Sequence, residues 1–425
     1  MMKRLFLLVL ISLGFFSGCS KKESPLTFAV GGAPNEVDYW EKLIGEFEDK
    51  NHIRVKLLRQ PTDTDIRRQS LVTPLNAKEK DPDLFLMDVA WIAQFAASGW
   101  LLPMDSYVKK DSFDMARLFG SVVHQVDIYK GEIISMPVYI DCGLLYFRKD
   151  LLKKYGCSIP ETWDDLLQCA EEIQGKERKN NPGFFGFVWQ GAQYEGLVCN
   201  FIEFIASNGG SIISETGSIT VYSKENIQAL QFMRNLIHKY QISPPNTFTE
   251  MREEEVRTFF ENGNALFERN WPYAWKLHNS QGSPVRGKIG ITLLPKFDNG
   301  RHAASLGGWH IGISRYSDKK DEAWELVKFI LSYKVQKKLC LNLSWNPARI
   351  DIYDDPEVKE KMPHMEVLKK AFESTVARPN SPYYTQVSEL LQRYVNAAIS
   401  GKIEPNEALK EAQRGIEKIV ERYHE

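Results

Sequence analysis

The amino-acid sequence predicts an α/β protein made of two lobes with a ligand cleft between them. Three observations predict it. Strand-like and helix-like stretches alternate strictly over residues 26–99. A second region, residues 141–301, changes character, with helix patterns dominating short strand candidates. The chain has 425 residues, about two to three domains' worth at ~150 residues each.

The elements can be justified in order. Leu26–Val30 is a short β-prone run that ends at Gly31-Gly32. Val37, Trp40, Ile44 and Phe47 then recur at three to four residues with charges between, which is helical spacing. Residues 53–58 are strand-like, a polar turn covers 60–64, and a second helix pattern covers about 65–77. Leu84–Met87 is a buried-strand run, followed by a helix from about Trp91 that stops at Gly99. This β-α-β-α-β-α order predicts a parallel sheet with helices packed over it. Further on, helix patterns span 163–173, 195–206, 224–240 and 252–261, with strand candidates at 184–189 and 265–268. The tail, 363–425, is mostly helical, punctuated by Gly401 and Pro405.

Composition narrows the function. Lys and Arg number 54 against 55 Asp and Glu, a net charge of −1, so the chain lacks the basic footprint of a general nucleic-acid binder. With 43% hydrophobic residues it is not an acidic disordered chain. Aromatics reach 12%, with 10 Trp, an excess that needs a use. Six Cys are too few for a disulfide scaffold in a chain of this length.

The first residues read as an address. Lys3 and Arg4 precede an apolar run from Leu5 to Phe16. Twelve helical residues span ~18 Å, short of the ~30 Å hydrocarbon core of a membrane, so residues 1–18 are expected to be a signal peptide. Phe16-Ser17-Gly18-Cys19 places small residues directly before a Cys and resembles the bacterial lipoprotein processing box, although Phe16 stands where Leu is usual. That resemblance implies lipid attachment at Cys19 and a polar tether over 19–25, giving an extracytoplasmic protein anchored to the membrane rather than spanning it. Five further Cys remain, at 142, 157, 169, 199 and 340. A Cys157–Cys169 bridge and buried unpaired thiols are both compatible with the spacing.

In parallel sheets, ligands sit beyond the carboxyl ends of the strands. Residues 31–36, 62–68 and 88–91 occupy that edge and hold acceptors, donors and an aromatic. Taken singly, Gly31–Pro34 could be a plain turn and Asp88 a helix N-cap; three polar strand ends at one edge favour a cleft. No phosphate-binding loop, nucleophile elbow or zinc helix is present, and the eight His are scattered without ligand spacing, so neither cofactor nor metal is expected. The candidate carboxylates are Glu36, Asp88 and Asp141. They suit recognition of hydroxyls, since an ionised carboxylate accepts several hydrogen bonds. They would also suit the acid–base pair of a glycosidase. Aromatics complete a sugar site because a flat ring can cover the C–H face of a pyranose. Trp91, Tyr139, the 271–275 run, Trp309 and Trp345 are candidates, with core packing the better account of Trp275 and Trp345. Gly307-Gly308 beside Trp309 permits close backbone approach.

Ordered blocks carry a closer likeness: 28–36 (FAVGGAPNE), 83–91 (DLFLMDVAW), 97–101 (ASGWL), 137–146 (PVYIDCGLLY), 267–275 (FERNWPYAW), 306–314 (LGGWHIGIS) and 377–384 (ARPNSPYY). From about Leu26 onwards the chain resembles the bacterial family 1 extracellular solute-binding proteins, the receptors of sugar ABC importers, and within them the trehalose/maltose-binding proteins. The resemblance implies a periplasmic-binding-protein-like fold, with interwoven lobes and a hinged cleft closing on an α-glucoside. It places 26–140 and 305–345 in lobe 1 and 141–304 and 346–425 in lobe 2, approximately. Glu36, Asp88 and Asp141 would accept bonds from sugar hydroxyls, Arg67 (or its neighbour Arg68) and Arg378 would donate, and Thr62 and Tyr139 would add neutral bonds. Trp271, Tyr273 and Trp309 would form stacking walls, with the Gly308 backbone close to the ligand. Cys142 stands where relatives are expected to carry a small residue, which bears on fine substrate choice. The expected partners are a disaccharide, the membrane subunits of an ABC permease, and the membrane through the lipid; the expected state is a monomer that is not an enzyme. The rival readings are a secreted glycosidase and the same receptor class for a longer oligosaccharide or a polyol.

Overall fold

The computed structural model describes residues 24–32, 34–61, 64–214 and 216–424. The leader, Cys19 and Thr62 lie outside the described residues.

Alternation in the sequence becomes layers. Strand β1 (Leu26–Gly31) leads into helix α1 (Pro34–Asn51), whose Val37, Trp40, Leu43, Ile44 and Phe47 are buried. Strand β2 (Val55–Gln60), helix α2 (Thr64–Asn76), strand β3 (Leu84–Asp88) and helix α3 (Ile92–Ala97) follow. β1 pairs in parallel with β2 and with β3, as the alternation predicted. Beyond α3, Gly99 takes φ +69°, a left-handed conformation that costs glycine little.

The sheet is then completed from far along the chain. Strand β4 (Met136–Cys142) and β5 (Leu144–Arg148) are separated by the single residue Gly143. β6 (Phe185–Val188), β7 (Ala265–Asn270) and β8 (Ile289–Thr292) form a second sheet with β5, in the order β8-β5-β7-β6. The ten-residue strand β9 (Ala304–Ile313) returns to the first sheet. There it lies antiparallel to both β3 and β4, and β10 (Thr375–Val376) pairs in parallel with its start.

Two sheets joined by three crossings make two lobes. The crossings are Gly143, the segment before β9, and the segment after β10. Gly143 has no room for a side chain: a Cβ there would collide with the Glu203 carboxylate and the Arg269 guanidinium. That buried ion pair lies against two of the crossings at once, because the Ser305 N–H also donates to Glu203 at 3.1 Å.

Helices Lys320–Ile330 and Met365–Glu373 pack on the first sheet. Helix α4 (Glu195–Ser207) packs with helix Lys224–His238 and with α6 (Tyr384–Ile399), which in turn packs on α7 (Pro405–His424). Met365–Glu373 thus packs against the first sheet, although it follows β9 by some fifty residues. Met365–Glu373 packs on both β4 and β9, and Lys320–Ile330 on β9.

Among the described residues the five cysteines are free thiols, and no helix is long and apolar enough to cross a membrane.

Candidate functional site

Strand register assembles the site. On β9, Trp309 pairs with Asp88 of β3 on one side and with Tyr139 of β4 on the other. Gly307 pairs with Asp141. Side chains alternate along β4, so Tyr139 and Asp141 face one way while Val138, Ile140 and Cys142 are buried on the other face. Cys142 therefore points away from its neighbour's cleft. Gly308, with φ +127°, lies so close to β4 that a Cβ would press into the Tyr139 carbonyl oxygen. Only glycine fits there, and the register shifts just beyond, between Trp309 and His310.

A cleft of about 680 Å³ opens over this row, between the two sheets. Of the expected residues, Asp88, Asp141, Trp271, Tyr273, Gly308, Trp309 and Arg378 line it. Arg68 also lines the wall, whereas Arg67 lies beneath it: its guanidinium stacks 3.6 Å from the Trp309 ring and the residue is 3% exposed. A cation on the rear face of an indole fixes the ring and leaves the front free. Trp91 meets the same ring edge-to-face at 5.4 Å.

Glu36, in the first turn of α1, accepts a 3.0 Å bond from Trp345 Nε1. Tyr139 stacks on Trp345 at 4.1 Å. Trp345 is thus a packing residue behind the cleft. Trp275 is likewise packed away, against His364 at 4.7 Å.

The opposite wall comes from the second lobe. Strand β7 delivers Trp271, whose ring lies 4.1 Å from the Arg269 guanidinium and whose carbonyl accepts a 2.8 Å bond from Tyr146 Oη. Tyr273 Oη donates to Glu254 at 2.7 Å, at the start of helix α5 (Glu253–Glu261). Arg378, on the third crossing, joins the lobes: it donates to Asp88 at 3.1 Å and to Glu195 at 3.2 Å. Glu195 also accepts from Tyr384 at 2.5 Å and from Ser388.

Glu195, Tyr194, Arg252, Glu253 and Ser388 line the cleft as well, and the sequence reading did not single them out. Tyr194, Glu195, Arg252 and Glu253 sit at helix starts, where the two glutamates equally suit the helix dipole, and Ser388 lies inside α6 with no local signal.

Charge in the cleft is balanced by geometry. Burial opposes the Arg378 cation, yet Asp88 and Glu195 outweigh it and raise its pKa. Burial likewise lowers the pKa of Arg67, against the pull of Tyr139, Asp88 and Glu36. Asp141 is pushed up to about 6, first by burial and then by the like charges of Glu36 and Asp88; a bond from Asn346 Nδ2 at 2.7 Å works the other way. The result is a small aqueous cleft with acceptor carboxylates and donor guanidiniums on its floor and indole faces on two walls. Such a cleft can grip a polar ring compound by its edge and its face. No group of three or more His, Cys, Asp or Glu among the described residues is placed to hold a metal.

This fold and site define a class. Residues 33–337 match the family of bacterial extracellular solute-binding proteins, and the chain belongs to that family. Its members bind solutes rather than transform them, which removes the glycosidase reading. The chain is 35% identical to the "Probable ABC transporter-binding protein" of Deinococcus radiodurans, over 98% of this chain and 99% of that one. It is 24% identical to the arabinooligosaccharide-binding protein of Halalkalibacterium halodurans, over 91% and 87% respectively. Among solved structures, maltose-bound MalE3 of T. maritima is 39% identical with a TM-score of 0.82, covering 93% of this chain and 99% of that one. An ABC transporter solute-binding protein from Thermotoga lettingae, bound with α-D-tagatose, is 28% identical with a TM-score of 0.80, covering 94% and 100%. The two-lobed periplasmic-binding-protein fold expected from the sequence is the fold of this chain.

Proposed function

We propose that this protein is the sugar receptor of an ABC importer and binds maltose, trehalose or a closely related α-glucoside. The observation that carries the reading is the cleft floor, where Trp309 lies in register between Asp88 and Tyr139 and lines the same cleft as Trp271. The likeness to a maltose-bound protein supports the choice of sugar.

In this reading Glu36, Asp88 and Asp141 accept sugar hydroxyls, Arg68 and Arg378 donate while Arg67 backs the Trp309 ring, and Thr62 and Tyr139 add neutral bonds. Trp309, Trp271 and Tyr273 cover the ring faces while the Gly308 backbone lies close to the ligand. Closure about the three crossings brings the walls together on the sugar and presents a closed surface to the permease. Lipid on Cys19 holds this monomer at the outer face of the membrane.

Isothermal titration calorimetry with a panel of maltose, trehalose, longer maltodextrins, tagatose and mannitol tests the reading. Binding of one or both α-linked disaccharides more tightly than the others is expected. Preference for a polyol or monosaccharide, or no binding by any α-glucoside, overturns it.

A further inference from the structure

Two consecutive residues, Trp345 and Asn346, each donate a hydrogen bond to a different one of the carboxylates expected to bind sugar. Trp345 Nε1 reaches Glu36 at 3.0 Å and Asn346 Nδ2 reaches Asp141 at 2.7 Å. Both are buried, at 8% and 2% exposure, so they act through the carboxylates and not on a ligand directly.

Their own positions are held by backbone. Ile140 N–H donates to the Asn346 carbonyl at 3.0 Å, Tyr139 and Pro347 form an antiparallel bridge, and the Ala348 N–H donates to Gln336 at 3.0 Å. Gln336 in turn donates to the Val138 carbonyl at 2.9 Å. Residues 345–348 are thus laid along β4 as a strap.

We propose that this strap is a positioning and specificity device: Asn346 keeps Asp141 oriented and ionised as a hydroxyl acceptor, and Trp345 fixes the orientation of Glu36. The inference rests on the sugar-receptor reading above and extends it to residues behind the cleft.

The physical case is one of opposing effects. The titratable groups facing Asp141 are Glu36 of α1 and Asp88 of β3, both of like charge, Tyr139 and Cys142 of its own strand, and Tyr353 behind. Burial and the two carboxylates favour the protonated form, and the Asn346 amide favours the ionised one. A protonated Asp141 would have lost charge-assisted acceptance, the stronger kind of hydrogen bond.

The test separates the strap from the sugar. Aspartate side-chain carboxyls are labelled with ¹³C and titrated by NMR in the ligand-free full chain, with Asp141→Asn identifying the signal. Asn346→Leu is expected to move the Asp141 midpoint upward by about one pH unit, which weakens maltose binding about twofold at pH 7 and towards tenfold at pH 5 and below. The loss should shrink as pH rises. Asn346→Gln, which retains an amide donor, is expected to restore part of both. Trp345→Phe keeps the stack on Tyr139 without the donor, and should weaken binding severalfold with the Asp141 midpoint unmoved.

An unshifted midpoint in Asn346→Leu, or an affinity loss equal at every pH, overturns the proposal and makes Asn346 a packing residue. A shifted midpoint in a protein that binds no α-glucoside supports the strap and counts against the disaccharide reading alone.

Discussion

Replacing Asp88 by Ala removes three bonds at one point. In the ligand-free protein Asp88 Oδ1 accepts from Arg378 at 3.1 Å and from the Ala90 N–H at 2.9 Å, and in the proposed complex it also accepts a sugar hydroxyl. The Asp88 side chain is 18% exposed and that of Arg378 is 7%, so water can replace little of what is lost. Truncating one partner of a buried charged pair costs about 2–5 kcal/mol of binding. The residual exposure of Asp88, and the second anchor that Arg378 keeps on Glu195 at 3.2 Å, place the expected cost at about 2–3 kcal/mol. That corresponds to a dissociation constant roughly 30- to 160-fold higher. Calorimetry with maltose and trehalose measures it, with thermal unfolding of the ligand-free variant as the control for folding. Asp88→Asn, which keeps a neutral acceptor, should fall between Ala and wild type. An Asp88→Ala protein that is folded and binds within a factor of two of wild type refutes the reasoning and removes Asp88 from the site.

Trp309→Ala strips the ring held between Arg67 and the cleft, and should weaken sugar binding by at least tenfold, of the order of an aromatic face contact with its buried area; tryptophan fluorescence titration reads it, and unchanged affinity counts against a stacking role. Gly308→Ala forces a Cβ against the Tyr139 carbonyl at φ +127° and should cost about 1–3 kcal/mol of stability, seen as a lower Tm; an unchanged Tm contradicts the close approach. His364, buried against Trp275, has its pKa pushed down by burial to about 4. The unfolded chain takes up this proton near 6.5 and the folded one does not, so this stability is present above pH 6.5 and lost as pH falls towards 4. The interval corresponds to about 3 kcal/mol. In denaturant titrations at pH 7 and pH 4.5, His364→Gln should lose less stability than wild type, and equal losses contradict the assignment.

The first half of the parallel sheet was legible because its signals are local. The apolar spacing of Val37, Trp40, Ile44 and Phe47 and the run Leu84–Met87 each sit within one element, and the structure follows them to within about two residues. The insertion of β9 between β3 and β4 was not legible. It pairs Trp309 with Asp88 across some 220 residues, and no local pattern encodes so distant a partner. The same limit divides the site. Asp88 stood out because three polar strand ends share one sheet edge, and Asp141, Trp271 and Trp309 because carboxylates and clustered aromatics suit a sugar and lie in blocks that resemble a known family. Glu195 did not, since an acidic residue in the first turn of a helix is ordinary dipole chemistry, and only folding shows that Glu195 meets Arg378. The phase of α2 is a middle case: Arg67 and Arg68 are adjacent in sequence, and the fold puts one behind Trp309 and the other on the wall.

The central claim is that a sugar ring lies between the two lobes, gripped by carboxylates at its edge and tryptophans on its faces. A crystal structure of the protein grown with maltose or trehalose tests it most directly. The account predicts a closed cleft with a pyranose ring against Trp309 and hydroxyls within hydrogen-bond distance of Asp88 and Asp141. An occupied cleft in which neither carboxylate touches the sugar, or a sugar bound elsewhere on the molecule, would contradict it.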